Sequence, residues 1–291
     1  MREAQKQEIR DWWSGRPMTY GVVHGAPVYR TEKGELLEVE FGSCEFFEQL
    51  DKTLYNDLRE FATSEGPLGG LFPYKRYRGQ KVLEIGCGMG TMIMNWAQRG
   101  AEVTAVDLNP VAIEQTRRRF EVFGLAGVIQ EMDANALQFE DASFDYVYSW
   151  GVLHHSPNLI KSLSELLRVL RPNGEYGIML YNRASIYSWY LMRYLEGFLH
   201  GESRFLDQLG LASRYTDGDK EEGNPHTWPV TKREMKAVLF PQSSSMTVYA
   251  IGPVEYAFPP KVSSLIPRWL LQPWVRRWGW GLYLTGVKRS Q

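Results

Sequence analysis

Between residues 81 and 181 the apolar positions fall into five short runs, with stretches of helical period between them. Lys81–Ile85, Glu102–Val106, Val128–Glu131, Phe144–Trp150 and Glu175–Tyr181 read as strands. A helix is predicted over about 91–99, ending at Gly100. Asn109 can cap a second helix whose first residue is Pro110 and which runs to about Phe123. Asn158 caps a third, through about Leu170, stopped by Pro172 and Gly174. Strands alternating with helices make right-handed βαβ units, and so a parallel sheet with helices on both faces. Such sheets bind ligands beyond the carboxyl ends of their strands, near the point where the strand order reverses. The residues that follow the strands are therefore the first candidates for chemistry.

Outside that stretch the pattern weakens. Residues 1–74 show no sustained period, only helical patches around 2–13 and 44–63 and a loop at Gly66–Gly70. After Asn182, residues 184–200 read as an amphipathic helix with many aromatics, and 201–229 as polar loop. Thr231-Lys232-Arg233-Glu234 fits a capping box ahead of another helix. Residues 246–251 and 280–288 are strand-like and can close the sheet.

Composition narrows the partners. The 33 basic and 34 acidic side chains leave a net charge of −1, so no strong overall field draws the chain to nucleic acid or to an anionic membrane. The two cysteines give no disulfide framework. The first ten residues lack the apolar core of a secretory signal, and no apolar run is long enough for a membrane span. These features predict a soluble, cytoplasmic protein with no nucleic acid partner and no stable membrane insertion. The ten Trp and sixteen Tyr cluster towards the two ends of the chain and its third quarter. For the Trp- and Arg-rich segment 266–278, packing on the core is preferred to membrane contact, because Pro267 and Pro273 interrupt it.

The segment Glu84-Ile85-Gly86-Cys87-Gly88-Met89-Gly90 follows a strand and opens a helix. Its glycines allow a sharp turn and a close approach to a ligand. Thr91 stands where a dinucleotide fingerprint has a third small residue. Glu84 sits two residues before the turn, where a carboxylate would repel a pyrophosphate and welcome an ammonium. Asp107 ends the second strand, where a carboxylate can accept both hydroxyls of a ribose. Taken alone, Asp107 reads equally as a helix cap, and Asp133 as a loop carboxylate. As an ordered set they fit a ligand with a ribose and a cationic amino acid head but no phosphates, which S-adenosylmethionine is.

Here the sequence resembles the class I S-adenosylmethionine-dependent methyltransferases, over roughly residues 80–182. Gly86, Gly88 and Gly90 match that family's glycine turn, with Cys87 inside it, and Glu84 matches its acidic residue. Asp107-Leu108-Asn109-Pro110 is similar to the ribose motif, with Leu108 beside the adenine. Met132-Asp133-Ala134 resembles the adenine-edge motif. Phe144–Trp150 resembles the fourth-strand motif, with Ser149 and Trp150 near methyl transfer. Leu167-Arg168-Val169-Leu170-Arg171-Pro172-Asn173-Gly174 is similar to the family's turn before the fifth strand, with Asn173 in place of a glycine. The resemblance implies a seven-stranded Rossmann-like α/β sheet with helices on both faces, an N-terminal lid (1–74), a cofactor-binding core (75–182), an inserted helical substrate cap (183–245) and C-terminal strands (246–291). It implies S-adenosylmethionine as methyl donor and S-adenosylhomocysteine as product.

A sulfonium methyl is already activated, so alignment and exclusion of water matter most. His154 and His155 follow the fourth strand and are the candidate catalytic bases, against a reading in which they only pack or hydrogen-bond. Tyr20, Tyr181, Asn182, Arg214 and His226 are candidate acceptor contacts. Adjacent histidines without nearby ligands predict no metal site. The leading expectation is methyl transfer to oxygen, nitrogen or carbon of a small or medium organic acceptor. The alternatives are a protein that binds S-adenosylmethionine without transferring the methyl and, disfavoured by Glu84 and Thr91, a nicotinamide-dependent oxidoreductase. A homodimer is compatible with the sequence.

Overall fold

Short apolar runs become the strands of one mixed sheet. The structure is a computed structural model that describes residues 2–31, 33–217, 223–252 and 266–290. Residues 218–222 of the expected cap and 253–265 of the C-terminal part lie outside the described residues. The chain forms two compact units: Met1–Tyr148 with Arg168–Arg171, and Ser149–Leu167 with Pro172–Gln291.

The first unit holds α1 (Arg2–Gly15), a hairpin of β1 (Val28–Arg30) and β2 (Leu36–Glu38), α2 (Cys44–Asp57), β3 (Lys81–Ile85), α3 (Thr91–Gln98), β4 (Glu102–Asp107), α4 (Pro110–Val122), β5 (Val128–Glu131) and most of β6 (Phe144–Trp150). The parallel pairs β3–β4, β4–β5 and β3–β6 are those that βαβ units produce. Asn109 caps α4 by accepting from the Val111 amide, with Pro110 as the first helical residue. The fully buried Trp96 of α3 packs edge-on against Tyr74 and beside Tyr146 and Tyr148 of β6, with ring centroids 4.8, 4.9 and 5.9 Å away.

The second unit holds most of α5 (Leu159–Val169) and β7 (Leu170–Tyr181), a π-helix at Ser188–Leu199, α6 (Gln208–Tyr215), α7 (Lys232–Leu239), β8 (Ser243–Ile251), α8 (Arg268–Trp278) and β9 (Gly281–Lys288). Strand β9 runs antiparallel to both β7 and β8. The full sheet has seven strands in the order β5-β4-β3-β6-β7-β9-β8, with the order reversing at β3 and β6.

Several elements differ from the sequence expectation. The helix expected over 44–63 stops at Asp57, and the β1–β2 hairpin went unpredicted because three-residue strands carry no period. Extended backbone begins at Leu170 instead of residue 175, and Asn173 adopts a left-handed conformation (φ 60°), which asparagine tolerates better than other side chains. The stretch 201–229 contains α6, whose cap is Asp207 accepting from the Leu209 and Gly210 amides. The 184–200 helix is a π-helix over Ser188–Leu199. In α8, Leu271 and Val275 are buried with Ile266 packed against them, while Trp269 and Trp274 are exposed, so the segment packs on the core along one face only. The Thr231–Glu234 capping box forms as expected.

One buried ion pair ties α2 to α4. The Arg119 Nη1 donates to both oxygens of Asp51 (2.8 and 2.9 Å), and the guanidinium stacks 4.6 Å above the Phe47 ring. The Arg119 Nε and Nη2 have no hydrogen-bond partner. Burial pushes the Asp51 carboxyl up despite the adjacent Arg119, so desolvation offsets much of the attraction. Removing one partner strands a buried charge. Asp51→Ala is therefore expected to cost about 3–5 kcal/mol in urea unfolding, and the paired change Asp51→Leu with Arg119→Met to recover most of it. A cost below about 1 kcal/mol for Asp51→Ala would contradict this account.

Candidate functional site

The glycine turn is fixed from three sides. The Gly86 and Cys87 amides both donate to the Val106 carbonyl of β4 (2.7 and 3.1 Å). The Gly88 amide donates to Asp107 Oδ2 (2.9 Å), and the Thr116 hydroxyl of α4 donates to the Gly88 carbonyl (2.9 Å). Gly88 has φ 50°, and a Cβ there would project into open space, so the backbone itself faces the crevice. Gly90 has φ 77° and no room: a Cβ would stand 2.9 Å from the Thr116 methyl. Cys87 is buried against Thr116, at 3.6 Å, and burial pushes its thiol well up. The turn therefore presents its Cys87 through the backbone and not through the sulfur.

Glu84 is buried within β3, and its register partner across the β3–β6 pair is Tyr148, on the same face. Glu84 Oε2 and the Tyr148 hydroxyl both lack a hydrogen-bond partner, though the two side chains are neighbours. Burial drives the Glu84 carboxyl well above the usual carboxylate range. Tyr148 and the Ile93 amide in the first turn of α3 pull it down, and the nearby Asp107 pushes it up. A buried carboxyl oxygen left without a donor is costly unless a donor or cation completes it.

Asp107 ends β4. Its Oδ1 accepts from the Asn109 amide and its Oδ2 from Gly88, both at 2.9 Å. Burial raises its carboxyl, and those amides work against the rise. A carboxylate oxygen holds two lone pairs, so each oxygen retains acceptor capacity for a ribose hydroxyl. Leu108 beside it is half-buried.

Asp133 is engaged by a helix that sequence reasoning did not connect to it. Lys6 of α1 lies 3.4 Å from Asp133 Oδ2, while Oδ1 accepts from the Asn135 backbone and side-chain amides. Further along α1, Arg10 pairs with Glu131 (2.7 Å), and the Trp13 carbonyl accepts from Asn109 Nδ2 (2.8 Å). Helix α1 thus lies over the ends of β4 and β5. Its contacts, spread across more than a hundred residues of sequence, leave no local signal. Ala134 is half-buried. Tyr20 takes a left-handed conformation (φ 54°) and packs into the apolar cluster around Tyr29, Phe46 and Met89.

The donor set fits S-adenosylmethionine. Glu84 would meet the ammonium, Asp107 the ribose, Asp133 the adenine edge, and the open Gly88 backbone would admit the ligand. Among the described residues no group of three or more His, Cys, Asp or Glu side chains is arranged to hold a metal ion.

The second unit gathers a polar cluster around the histidines. His155 Nδ1 donates to the His226 carbonyl (2.9 Å) and lies 3.2 Å from the Thr227 hydroxyl, while Nε2 stands 3.2 Å from Asp217 Oδ2. The Tyr181 hydroxyl donates to Asp217 Oδ1 (2.7 Å). Both nitrogen-bearing edges of the His155 ring are therefore occupied, an arrangement that holds the ring in place. His154 is buried between the His155 and Tyr181 rings (4.2 and 4.0 Å), and neither of its nitrogens has a partner. Burial holds it well below the usual histidine range, reinforced by His155 and His226, so it is neutral. Asp217 and Thr227 were missed as individuals. Asp217 stood inside a polar turn, and only the fold carries it to His155.

The other candidates are dispersed. Asn182 donates to the Gly279 carbonyl and accepts from the Ala184 amide, a structural clamp at the end of β7. Arg214 lies 3.8 Å from Glu202 with its guanidinium 5.9 Å over the Tyr215 ring. Ser149 is buried, and the Trp150 ring lies 5.7 Å from that of Tyr283.

A methyltransferase-domain model matches residues 82–174. A malonyl-[acyl-carrier protein] O-methyltransferase of Erwinia billingiae is 38% identical over 100 residues, which is 34% of this chain and 38% of that protein. A ubiquinone/menaquinone biosynthesis C-methyltransferase of Bartonella bacilliformis is 36% identical over 104 residues, 34% of this chain and 40% of that one. The matched stretch thus spans well under half the length of either relative. A solved S-adenosylmethionine-dependent methyltransferase of Methanosarcina mazei shares the fold at 20% identity, with a TM-score of 0.54 over 76% of this chain and 99% of its own. The glycine turn, Asp107, Asp133 and both histidines all fall inside the matched residues, and residues 82–174 of the chain match the methyltransferase domain family, on a Rossmann-like α/β fold.

Proposed function

We propose that the protein transfers the methyl group of S-adenosylmethionine to oxygen, nitrogen or carbon of a small or medium organic acceptor. The observation that carries this reading is a buried Glu84 with one oxygen unpartnered beside an Asp107 held by the turn's own amide. When bound, the cofactor supplies a methyl already activated by the sulfonium. Glu84 and Asp107 bind and orient it, Asp133 selects its base, and α1 serves as a lid that keeps water from that end. The two relatives named above methylate oxygen and carbon by their names, which supports leaving the accepting atom open.

For the acceptor we assign the second unit, with residues 183–245 as the cap. His154 is the group with uncommitted nitrogens and a neutral ring, suited to accept a hydrogen bond from an acceptor hydroxyl, although burial disfavours its taking the proton outright. His155 is a positioning residue, oriented by Asp217 and the His226 carbonyl.

Calorimetry tests the cofactor assignment. S-adenosylmethionine and S-adenosylhomocysteine are expected to bind, and Asp107→Ala to weaken S-adenosylmethionine at least about tenfold, the loss of a charge-assisted bond. Binding of NAD without either S-adenosyl ligand would overturn the reading.

Glu84 adds a signature in protons. Its carboxyl is raised in the ligand-free chain, and a bound cation favours the ionised form, so binding lowers its pKa and releases a proton. Over the pH range in which the free carboxyl is protonated, the binding heat is expected to vary with the ionisation heat of the buffer in the direction of release, and Glu84→Gln to abolish that variation. Proton uptake, or equal heats in all buffers, would contradict the role.

The histidine roles are separated by kcat against pH in a labelled-methyl assay. His154→Ala should lower kcat and remove the acidic limb. His155→Ala should lower kcat while leaving the limb in place. Unaltered profiles in both variants would remove the base assignment.

A further inference from the structure

The second unit exposes a set of aromatic rings that its own core does not use. A π-helix makes i→i+5 bonds and turns more widely than an α-helix, so residues four or five apart share a face. Along Ser188–Leu199 this lines up Trp189, Tyr190 and Phe198, each with its ring stacked 6.2 Å from that of Tyr194. The opposite face buries Ser188, Met192, Glu196 and Gly197. Trp189 is 61% exposed and Phe198 74%. Helix α8 repeats the pattern, burying Leu271 and Val275 and exposing Trp274 and Trp269, the latter at 71%. The two elements meet at a cavity of about 370 Å³ lined by Arg183, Trp189, Arg193, Trp274 and Trp278.

The charge on these elements is lopsided. Among the described side chains, the π-helix with its lead-in from Arg183, α7 and α8 together carry seven basic and two acidic ones, in a chain whose net charge is −1. Both acids are already committed. Glu234 pairs with Arg183, and Glu196 with His200 (2.7 Å). The Arg193 Nε is buried at the cavity without a hydrogen-bond partner, and burial together with Arg183 disfavours its charge. Lys232 feels Lys236 and Arg277 in the same way. The near-zero total charge therefore conceals a local positive patch that is in want of an anion.

We propose that this face docks on an anionic phospholipid bilayer, with the exposed rings at headgroup depth and a lipid phosphate received by Arg193 in the Trp-lined cavity. Trp and Tyr rings, apolar in body and polar at the tip, favour that depth, and a basic rim is drawn to anionic lipid. A second copy of the same face would set cations against cations. The contact is peripheral, because among the described residues no helix is long and apolar enough to cross a membrane.

The test is flotation of the full chain with vesicles. Vesicles of phosphatidylcholine containing phosphatidylglycerol should carry the protein upward, and pure phosphatidylcholine about tenfold less, with binding weakened by salt. The double variant Trp189→Ser, Phe198→Ser and the single variant Arg193→Gln should each reduce binding about tenfold while keeping the circular dichroism and melting midpoint of the parent. The exposed control Leu36→Ser, in the first unit, should bind as the parent does. No flotation, equal flotation on both lipids, or parental binding by both variants would overturn the proposal. So would a chain that binds glycerol phosphate in solution but floats with no vesicle. A dimer in lipid-free buffer that the double variant makes monomeric would assign the face to a second copy instead. None of these outcomes depends on methyl transfer, so failure here leaves the cofactor assignment standing.

Discussion

The bond from the Gly88 amide to the Asp107 carboxylate joins two strands' ends into one ligand-binding edge. The Gly86 and Cys87 amides tie the start of the turn to the Val106 carbonyl of β4, and the Gly88 bond extends that tie to the tip of the strand. With it, the carboxylate proposed to hold a ribose is the same group that fixes the glycine turn. The sheet supplies the framework through the β3–β4 register, and the turn is set on it by the bonds to Val106 and Asp107 and by Thr116 closing it from α4. Burial raises the Asp107 carboxyl and the amides oppose that rise, so the group is held ready and remains able to accept more.

The elements that were legible in the sequence are those with local rules. Asn109 and Pro110 start α4 by cap chemistry, and the Thr231–Glu234 box forms for the same reason. The glycine turn was readable because only glycine tolerates the left-handed backbone at positions such as Gly90 while avoiding a clash with Thr116. Lys6 on Asp133 and Asp217 on His155 were not readable. Each joins residues more than sixty positions apart, and a single sequence carries no mark of such a meeting. The short hairpin β1–β2 failed for the opposite reason: three residues are too few to show a period.

The histidines show how placement alters a reading. Two adjacent imidazoles after a strand invite the idea of a base. The fold gives them opposite environments: His155 has an acceptor at each nitrogen, while His154 sits in a dry aromatic slot with none. One residue along the chain separates a ring locked by hydrogen bonds from a ring whose lone pair is uncommitted.

Cys44 and Cys87 give the molecule a built-in reporter. Cys44 is exposed at the start of α2, whereas Cys87 is enclosed by the turn, its thiol pushed up by burial. A thiol-directed reagent would therefore mark the exposed Cys44 first, slowed by its Glu48 partner, and reach Cys87 only when the glycine turn opens. The rate of the second modification then measures how often the unliganded cofactor edge breathes, and the fall in that rate on adding a ligand measures how firmly the ligand shuts it.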